Sequence, residues 1–453
     1  MPSRSIPRSA LPTRRQSSPR SRLRPPHAGR RLWSLAAAFL LILAVVPATS
    51  ETASANPPAS DPKVISDWNA IAVNTMVGDT TKTGHPQVFL YLGFVQAAVY
   101  DAVAGIDRGY APYAFHDRAP HPSSPQAAAV AAAHRVLATY FPYAQTTLDA
   151  AYAASLAQIP AGNAKTNGVD YGIRAADNLI AARAHDGRDE PIFFTQPAAP
   201  GVWRPTPPAL FSMFDPWLGF VTPLLVQSAT QFGPPPPPTL TSDLYTRDFN
   251  EIKAYGSATS SARTAEQTAT ALFFSGNSFV QFNAALRDQA SMRHLDIAQS
   301  ARMFAATDMS TADAIITVWH AKYVYGLWRP ITAVNLADTD GNPATTADPN
   351  WVPLVNTPPY PDYPSGYNSV TATTTGALEQ LFHTQQLNLT LISTAVPNVS
   401  RHYETGDELR AEVVNARVWL GFHFRFADIA SRNLSLQLSD WTVNHYFQPT
   451  HDD

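Results

Sequence analysis

The sequence predicts an all-α protein: two packed helical bundles forming one large domain, with long Pro-rich loops. Three observations carry this. Segments with apolar residues at helical spacing follow one another along most of the chain. They are separated by stretches rich in proline, of which there are 40, and proline cannot continue a helix. No segment shows a persuasive strand alternation, and no repeat of fixed period appears. With 453 residues and 45% apolar content, the chain suits one large domain or two packed halves with a substantial core.

The N-terminus stands apart. Residues 1–31 hold nine arginines and no acids, Leu35–Val46 is a short apolar run, and small residues follow up to Ala53-Ser54-Ala55. This is the pattern of an export signal over residues 1–55, and Arg30-Arg31-Leu32-Trp33 resembles a twin-arginine signal. The apolar run is shorter than the ~20 residues of a membrane span, so no stable span is expected after signal removal. Nine of the 32 basic residues and one of the 35 acids lie in this segment. The remainder carries 23 positive against 34 negative charges, a net −11 that disfavours nucleic acid as a partner. Cysteine is absent, which excludes disulfides, thiolate metal sites and cysteine nucleophiles. The expected product is an exported protein, extracellular or in the cell envelope.

The N-terminal helical half is placed at 56–239. Val88–Ile106 reads as an apolar helix. Pro125–Leu156 is Ala-rich and helix-favouring, with a break at Pro142. Lys165–Ala184 continues the theme and stops at the polar "HDGRDEP" turn. Pro191–Pro223 reads as a long ordered loop, and Pro234–Pro238 as a polyproline crossing segment. The C-terminal half, 240–453, is expected to carry helices over Ser242–Gly256, Thr264–Phe274, Ser278–Asp296, Ile297–Thr307, Ser310–Arg329, Asn368–Phe382 and Asp407–Phe424. Pro343–Pro364 is a Pro and Asp loop.

Three segments of this half carry chemistry. Ser310 and Asp313 form a capping-box-like helix start. Ile315, Trp319 and Lys322 then share a face. Arg329 follows Lys322 by about two helical turns, and Pro330 ends the helix. Two cations on an apolar helix need an anion, although two snorkelling surface cations would suit this segment alone. In "PPYPDYPSGYNSV" a Pro-rich loop runs into a helix at Ser365-Gly366. That helix start offers backbone N–H groups, a hydroxyl and a close approach to an oxyanion. An ordinary Ser N-cap is the alternative. In "NARVWLGFHF" Arg417 precedes His423 by six residues, and arginine suits bidentate oxyanion contact. A structural histidine is the alternative there.

Taken in order, Lys322-x6-Arg329-Pro330, Pro364-Ser365-Gly366 and Arg417-x5-His423 resemble the three-part signature of the vanadium-dependent haloperoxidase and type-2 phosphatidic acid phosphatase superfamily. "GVWRPTPP", "GPPPPP", "DFNEIKAYG" and "ARVWLGFHFRFAD" resemble its secreted bacterial haloperoxidases. The resemblance runs from about residue 64 to the C-terminus. It implies vanadate as cofactor, with phosphate able to occupy the same pocket. Lys322, Arg329 and Arg417 would neutralise the equatorial oxygens, with Ser365 and the Gly366 amide as further donors. His423 would ligate vanadium or attack phosphorus. The implied partners are hydrogen peroxide and a halide or small organic substrate.

The chain departs from the pattern twice. Where the family has Pro-Ser-Gly-His, this sequence has Tyr367, a poor base at neutral pH that can still donate a hydrogen bond to an apical oxygen. His402 is a candidate replacement. His320 does not share the face of Lys322. The Asp expected four residues after His423 is Ala427, which makes Asp428 the candidate for orienting that histidine. Three readings stay open: a vanadate-dependent haloperoxidase-like enzyme in which Tyr367 weakens turnover, an acid phosphatase of the same superfamily, or a non-catalytic oxyanion-binding protein. Halide, organic substrate and oligomeric state have no signature in the sequence.

Overall fold

A computed structural model describes residues 60–82 and 84–450. The expected export signal lies outside the described residues. The described chain begins with α1 (Lys63–Gly78), α2 (Gln87–Asp107), α3 (Pro125–Tyr140), α4 (Gln145–Ala157) and α5 (Asn163–Ala182). After a long loop come α6 (Asp243–Tyr255), α7 (Ala265–Phe273), α8 (Ser278–Met292), α9 (Ile297–Tyr325), α10 (Pro330–Asn335) and α11 (Gly366–Phe382). A hairpin of β1 (Gln386–Ile392) and β2 (Ser400–Thr405) precedes α12 (Gly406–Trp419) and α13 (Arg425–His445). The all-α class holds, and Pro142 breaks the Ala-rich segment as expected, starting a short 3-10 turn between α3 and α4.

The antiparallel hairpin corrects the expectation of no strands. Its first strand, "QLNLTLI", alternates in burial, with Leu387, Leu389 and Leu391 buried. Two glutamines of α8 tie it down. Gln289 donates to the Leu387 carbonyl at 2.9 Å, and Gln281 donates to that of Ile392 at 3.0 Å.

The organising element is α9, which packs against α2, α11 and α13. Most of its 29 residues are buried on all sides, as a helix inside a core must be. Small residues (Ala, Ser, Thr) dominate its middle and allow close approach. Helix α2 is the one described helix long and apolar enough to cross a membrane, and 78% of that stretch is buried inside the protein.

Helix α9 also corrects two expectations. The segments over 297–307 and 310–329 are one helix, begun by a capping box of Asp296 with Gln299. Asp313 therefore caps nothing. It sits in mid-helix, fully buried, and accepts the backbone N–H groups of Leu224, Leu225 and Val226 at 2.6, 2.7 and 2.8 Å. Asp101 on α2 does the same for Tyr113, Ala114 and Phe115. Burial pushes Asp313 up to about 6 and Asp101 up to about 7, against the pull of those donors. Each carboxylate satisfies a loop whose amides have no strand or helix to bond within. Replacing Asp313 by alanine strands three buried donors. At ~1–3 kcal/mol per unsatisfied group, the loss should reach about 3 kcal/mol or more. It is read as a lowered urea midpoint at unchanged m-value.

The second correction is at the helix end. Helix α9 stops at Tyr325, where Gly326 takes the left-handed conformation with φ +54°. Arg329 lies beyond it as N-cap of α10, and Pro330 begins that helix rather than ending the previous one.

Candidate active site

Three chain segments converge. Lys322 comes from the last turn of α9. Arg329, three residues past its cap, is fully buried. The loop 358–365 runs between them and delivers Ser365 as N-cap of α11. Arg417 comes from the last turn of α12. His423 sits in the turn between α12 and α13, not on a helix as the spacing suggested. That turn is held by Gly421 at φ +77°, where an added Cβ would lie 2.6 Å from the Gly256 carbonyl oxygen.

Of the six predicted residues, Gly366, Arg417 and His423 line one cavity, whereas Lys322, Arg329 and Ser365 are buried and are not among its lining. Lys322 Nζ donates to the Pro361 and Asp362 carbonyls at 2.7 and 3.0 Å, leaving one of its three donors. Arg329 Nε donates to the Tyr360 carbonyl and Nη1 to that of Phe422. Its Nη2 is buried without a partner. Arg417 Nη1 donates to the Phe274 carbonyl at 2.9 Å, while its Nε is buried without a partner. Ser365 does not cap its helix with its side chain, which removes the ordinary N-cap reading. Its hydroxyl is approached by Asn368 Nδ2 at 3.4 Å and also bonds to the Asp428 carboxyl. Gly366 opens α11, so its amide belongs to the unpaired first turn. Arg417, Gly366, Tyr367 and His423 line a cavity of about 440 Å³.

His423 pairs with a residue that sequence reasoning missed. Its Nδ1 lies 2.7 Å from Asp362 Oδ1, in the loop three residues before Ser365. Asp428 was the expected partner. It sits on the first turn of α13 and instead accepts from Asn368 Nδ2 at 2.7 Å. No local spacing announces Asp362, because the contact spans 61 positions.

The electrostatics follow from burial. His423 is held well below its ordinary value by desolvation, then by Arg329, Lys322 and Arg417. It is held neutral, and where Asp362 is ionised Nδ1–H is donated to that carboxylate, which leaves the Nε2 lone pair 3.3 Å from Arg329 Nη1. Lys322 is pushed well down by burial and by Arg329. Burial pushes Asp362 up to about 7 and Asp428 well up. Three buried basic side chains thus share the site with carboxyl groups drawn toward neutrality. The missing negative charge is what an oxyanion brings.

Tyr367 lines the cavity, but its hydroxyl is committed. It bonds to Gln281 Oε1, and the Ile392 carbonyl fixes the amide nitrogen of Gln281 on the other side. Tyrosine is therefore the donor, directed at Gln281 and not at an apical oxygen. Burial also pushes the phenol up. Its ring faces the Arg417 guanidinium at 4.8 Å. His402 is on β2, exposed and bonded to Thr390, so it does not replace the missing histidine. His320 bonds to the Gly219 carbonyl and does not line the cavity.

Comparison with known proteins places this geometry. Residues 302–452, which hold all six predicted residues, match the VCPO second helical-bundle domain. The vanadium chloroperoxidase of Curvularia inaequalis is 28% identical over 30% of this chain and 29% of its own length. The C-terminal third of the chain thus resembles the vanadium chloroperoxidases in sequence. The chain's fold is similar to that of bacterial vanadium-dependent haloperoxidases of known structure. A bacterial vanadium-dependent iodoperoxidase superposes with TM-score 0.74 at 22% identity, covering 88% of this chain and 99% of that one. A bacterial vanadium-dependent chloroperoxidase in its holo form gives 0.64 at 20%, covering 79% and 90%. At the position after Gly366 this chain carries Tyr367, tied to Gln281.

Proposed function

We propose that this protein binds vanadate in the pocket and uses hydrogen peroxide to oxidise a halide or small organic substrate. The observation that carries the reading is the pair of buried guanidinium nitrogens without partners, Arg329 Nη2 and Arg417 Nε, beside a neutral His423. Unpaired buried donors are rare and costly. Here they belong to fixed side chains that a tetrahedral or trigonal-bipyramidal anion would satisfy. Lys322, Arg329 and Arg417 would hold the anion's oxygens, Ser365 and the Gly366 amide would add donors, and His423 would supply a nitrogen ligand. Bound there, vanadate supplies a Lewis-acidic centre that polarises peroxide toward oxygen transfer. The protein's own part is preorganised charge and exclusion of water. Phe89, Phe214, Phe279, Trp319 and Phe422 wall the cavity, which favours apolar organic molecules over bulk solvent.

The test has two stages. Vanadate and phosphate should raise the unfolding temperature, with about 2.7 kcal/mol gained at a hundredfold excess over Kd. Vanadate-reconstituted protein should then halogenate a phenolic indicator with peroxide, and lose this activity on removal of vanadate. Anion binding with aryl-phosphate hydrolysis and no halogenation would reassign the site to a phosphatase. Anion binding with neither activity would leave an oxyanion-binding protein.

A further inference from the structure

The reaction needs a proton carrier on the cavity side of the anion, and Tyr367 is tied to Gln281. His85, just before α2, lines the same cavity as His423 and Gly366. It is part-exposed, its side chain 21% accessible. Its Nδ1 lies 2.7 Å from Asp215 Oδ1, and Asp215 is buried. The other Asp215 oxygen accepts the Gln87 backbone N–H at 3.1 Å. With Nδ1 given to the carboxylate, Nε2 is the nitrogen left to exchange protons with a ligand. The ring stacks on Phe214 at 4.0 Å between centroids and 13° between planes.

This pair is built into the anion site's frame. Phe214 donates its N–H to the Pro359 carbonyl and accepts the Trp319 indole N–H at 3.0 Å. Trp319 lies one turn before Lys322 on α9, and Pro359 is in the loop that delivers Ser365. Asp215 itself adopts the left-handed conformation, φ +46° and ψ +51°, which is disfavoured for a non-glycine residue. Such strain persists where neighbours over-determine it, and here it holds a carboxylate against the imidazole.

We infer that His85, oriented by Asp215, is the proton-transferring residue of this cavity and takes the part of the histidine replaced by Tyr367. This rests on the peroxidase reading above. With the anion bound, His85 Nε2 would accept one proton from hydrogen peroxide. It would return that proton to a hydroxide leaving the anion, which departs as water. The imidazole ends as it began, and no electron leaves it. Asp215 is a positioning residue.

The experiment compares the full chain with His85→Ala, His85→Gln and Asp215→Asn. Vanadate affinity, measured calorimetrically without peroxide, should change less than about threefold in His85→Ala. Its peroxide-dependent turnover should fall by about 10²-fold or more, and added imidazole should restore part of it. His85→Gln should fall equally without rescue, and Asp215→Asn should fall less. Independently of activity, diethyl pyrocarbonate should carbethoxylate His85, and vanadate should slow that labelling, as followed by peptide mass spectrometry. His85→Ala with parental turnover, or labelling of His85 that vanadate leaves unchanged, overturns the inference while the peroxidase reading stands. A loss confined to Tyr367→Phe also overturns it. If the parent hydrolyses aryl phosphate but does not use peroxide, the peroxidase reading fails. The same variants then test His85 as proton donor to the leaving alcohol, and full hydrolysis in His85→Ala overturns it there. A parent with neither activity overturns both.

Discussion

Arg417→Ala is expected to weaken vanadate binding by about 10²- to 10³-fold. Truncating one partner of a buried charge-assisted contact costs ~2–5 kcal/mol, and each 1.4 kcal/mol is tenfold. Arg417 should lie well inside this range because its guanidinium is already oriented. Nη1 is fixed on the Phe274 carbonyl, and the fork lies between Tyr367 and Phe422 at 4.8 and 4.7 Å from their centroids. Little side-chain entropy remains to be lost on binding. The anion-free protein should suffer much less, since the change also relieves repulsion among Arg417, Arg329 and Lys322. The signature is thus a small shift in unfolding temperature without vanadate and a large one with it. Arg417→Lys separates charge from geometry. It keeps the cation but not the fork, and should recover only part of the affinity. Vanadate affinity in Arg417→Ala equal to that of the parent would remove Arg417 from the anion site.

The pocket was legible in the sequence for a reason different from the one its spacing suggested. Lys322 and Arg329 were read as one helical face. In the structure Gly326 ends α9 between them, and Arg329 reaches the site from the N-cap of α10. The motif survives because the chain turns there in a fixed way, which residue spacing alone does not encode. His423 likewise lies past its helix, in a turn that needs Gly421. Helices with strong local periodicity, such as α2, α6 and α7, were placed within a residue or two. The hairpin had its alternation in "QLNLTLI", but a single strand with one buried face is a short signal. What the sequence could not show were long-range pairs: Asp362 with His423, Gln281 with Tyr367, and His85 with Asp215. These contacts span 61, 86 and 130 positions. Each is decided by how α8, α11 and the loops between helices pack. The Tyr367 substitution looked like a lost base on an otherwise complete pocket. In the structure it is one end of a chain from the Ile392 carbonyl through Gln281 to the ring that faces Arg417.

Asp362→Ala tests whether the carboxylate found beside His423 does what Asp428 was expected to do. Vanadate affinity should fall by about 10–100-fold, the usual cost of removing a group that orients a metal-ligating histidine. Three consequences combine. The Nδ1–H of His423 loses its acceptor, so the ring no longer has a preferred tautomer, and only the Nδ1–H form offers Nε2 to the anion. Arg329 Nη1 loses the carboxylate 3.6 Å away, and Arg329 and His423 then adjust to each other across 3.3 Å. One acid leaves a pocket that already holds three cations, which by itself strengthens attraction for an oxyanion. The last effect opposes the first two, and Asp362→Asn separates them. Asparagine keeps an acceptor of the same shape at Oδ1 and removes the charge. If orientation dominates, Asp362→Asn should bind vanadate much better than Asp362→Ala. If charge dominates, both variants should bind at least as tightly as the parent, and Asp362 would then be a counter-ion rather than the group that orients His423. Asp428→Asn is the comparison. It disturbs the contact with Asn368 at the start of α11 but leaves His423 and Asp362 paired, so its effect on affinity should be the smaller of the two positions.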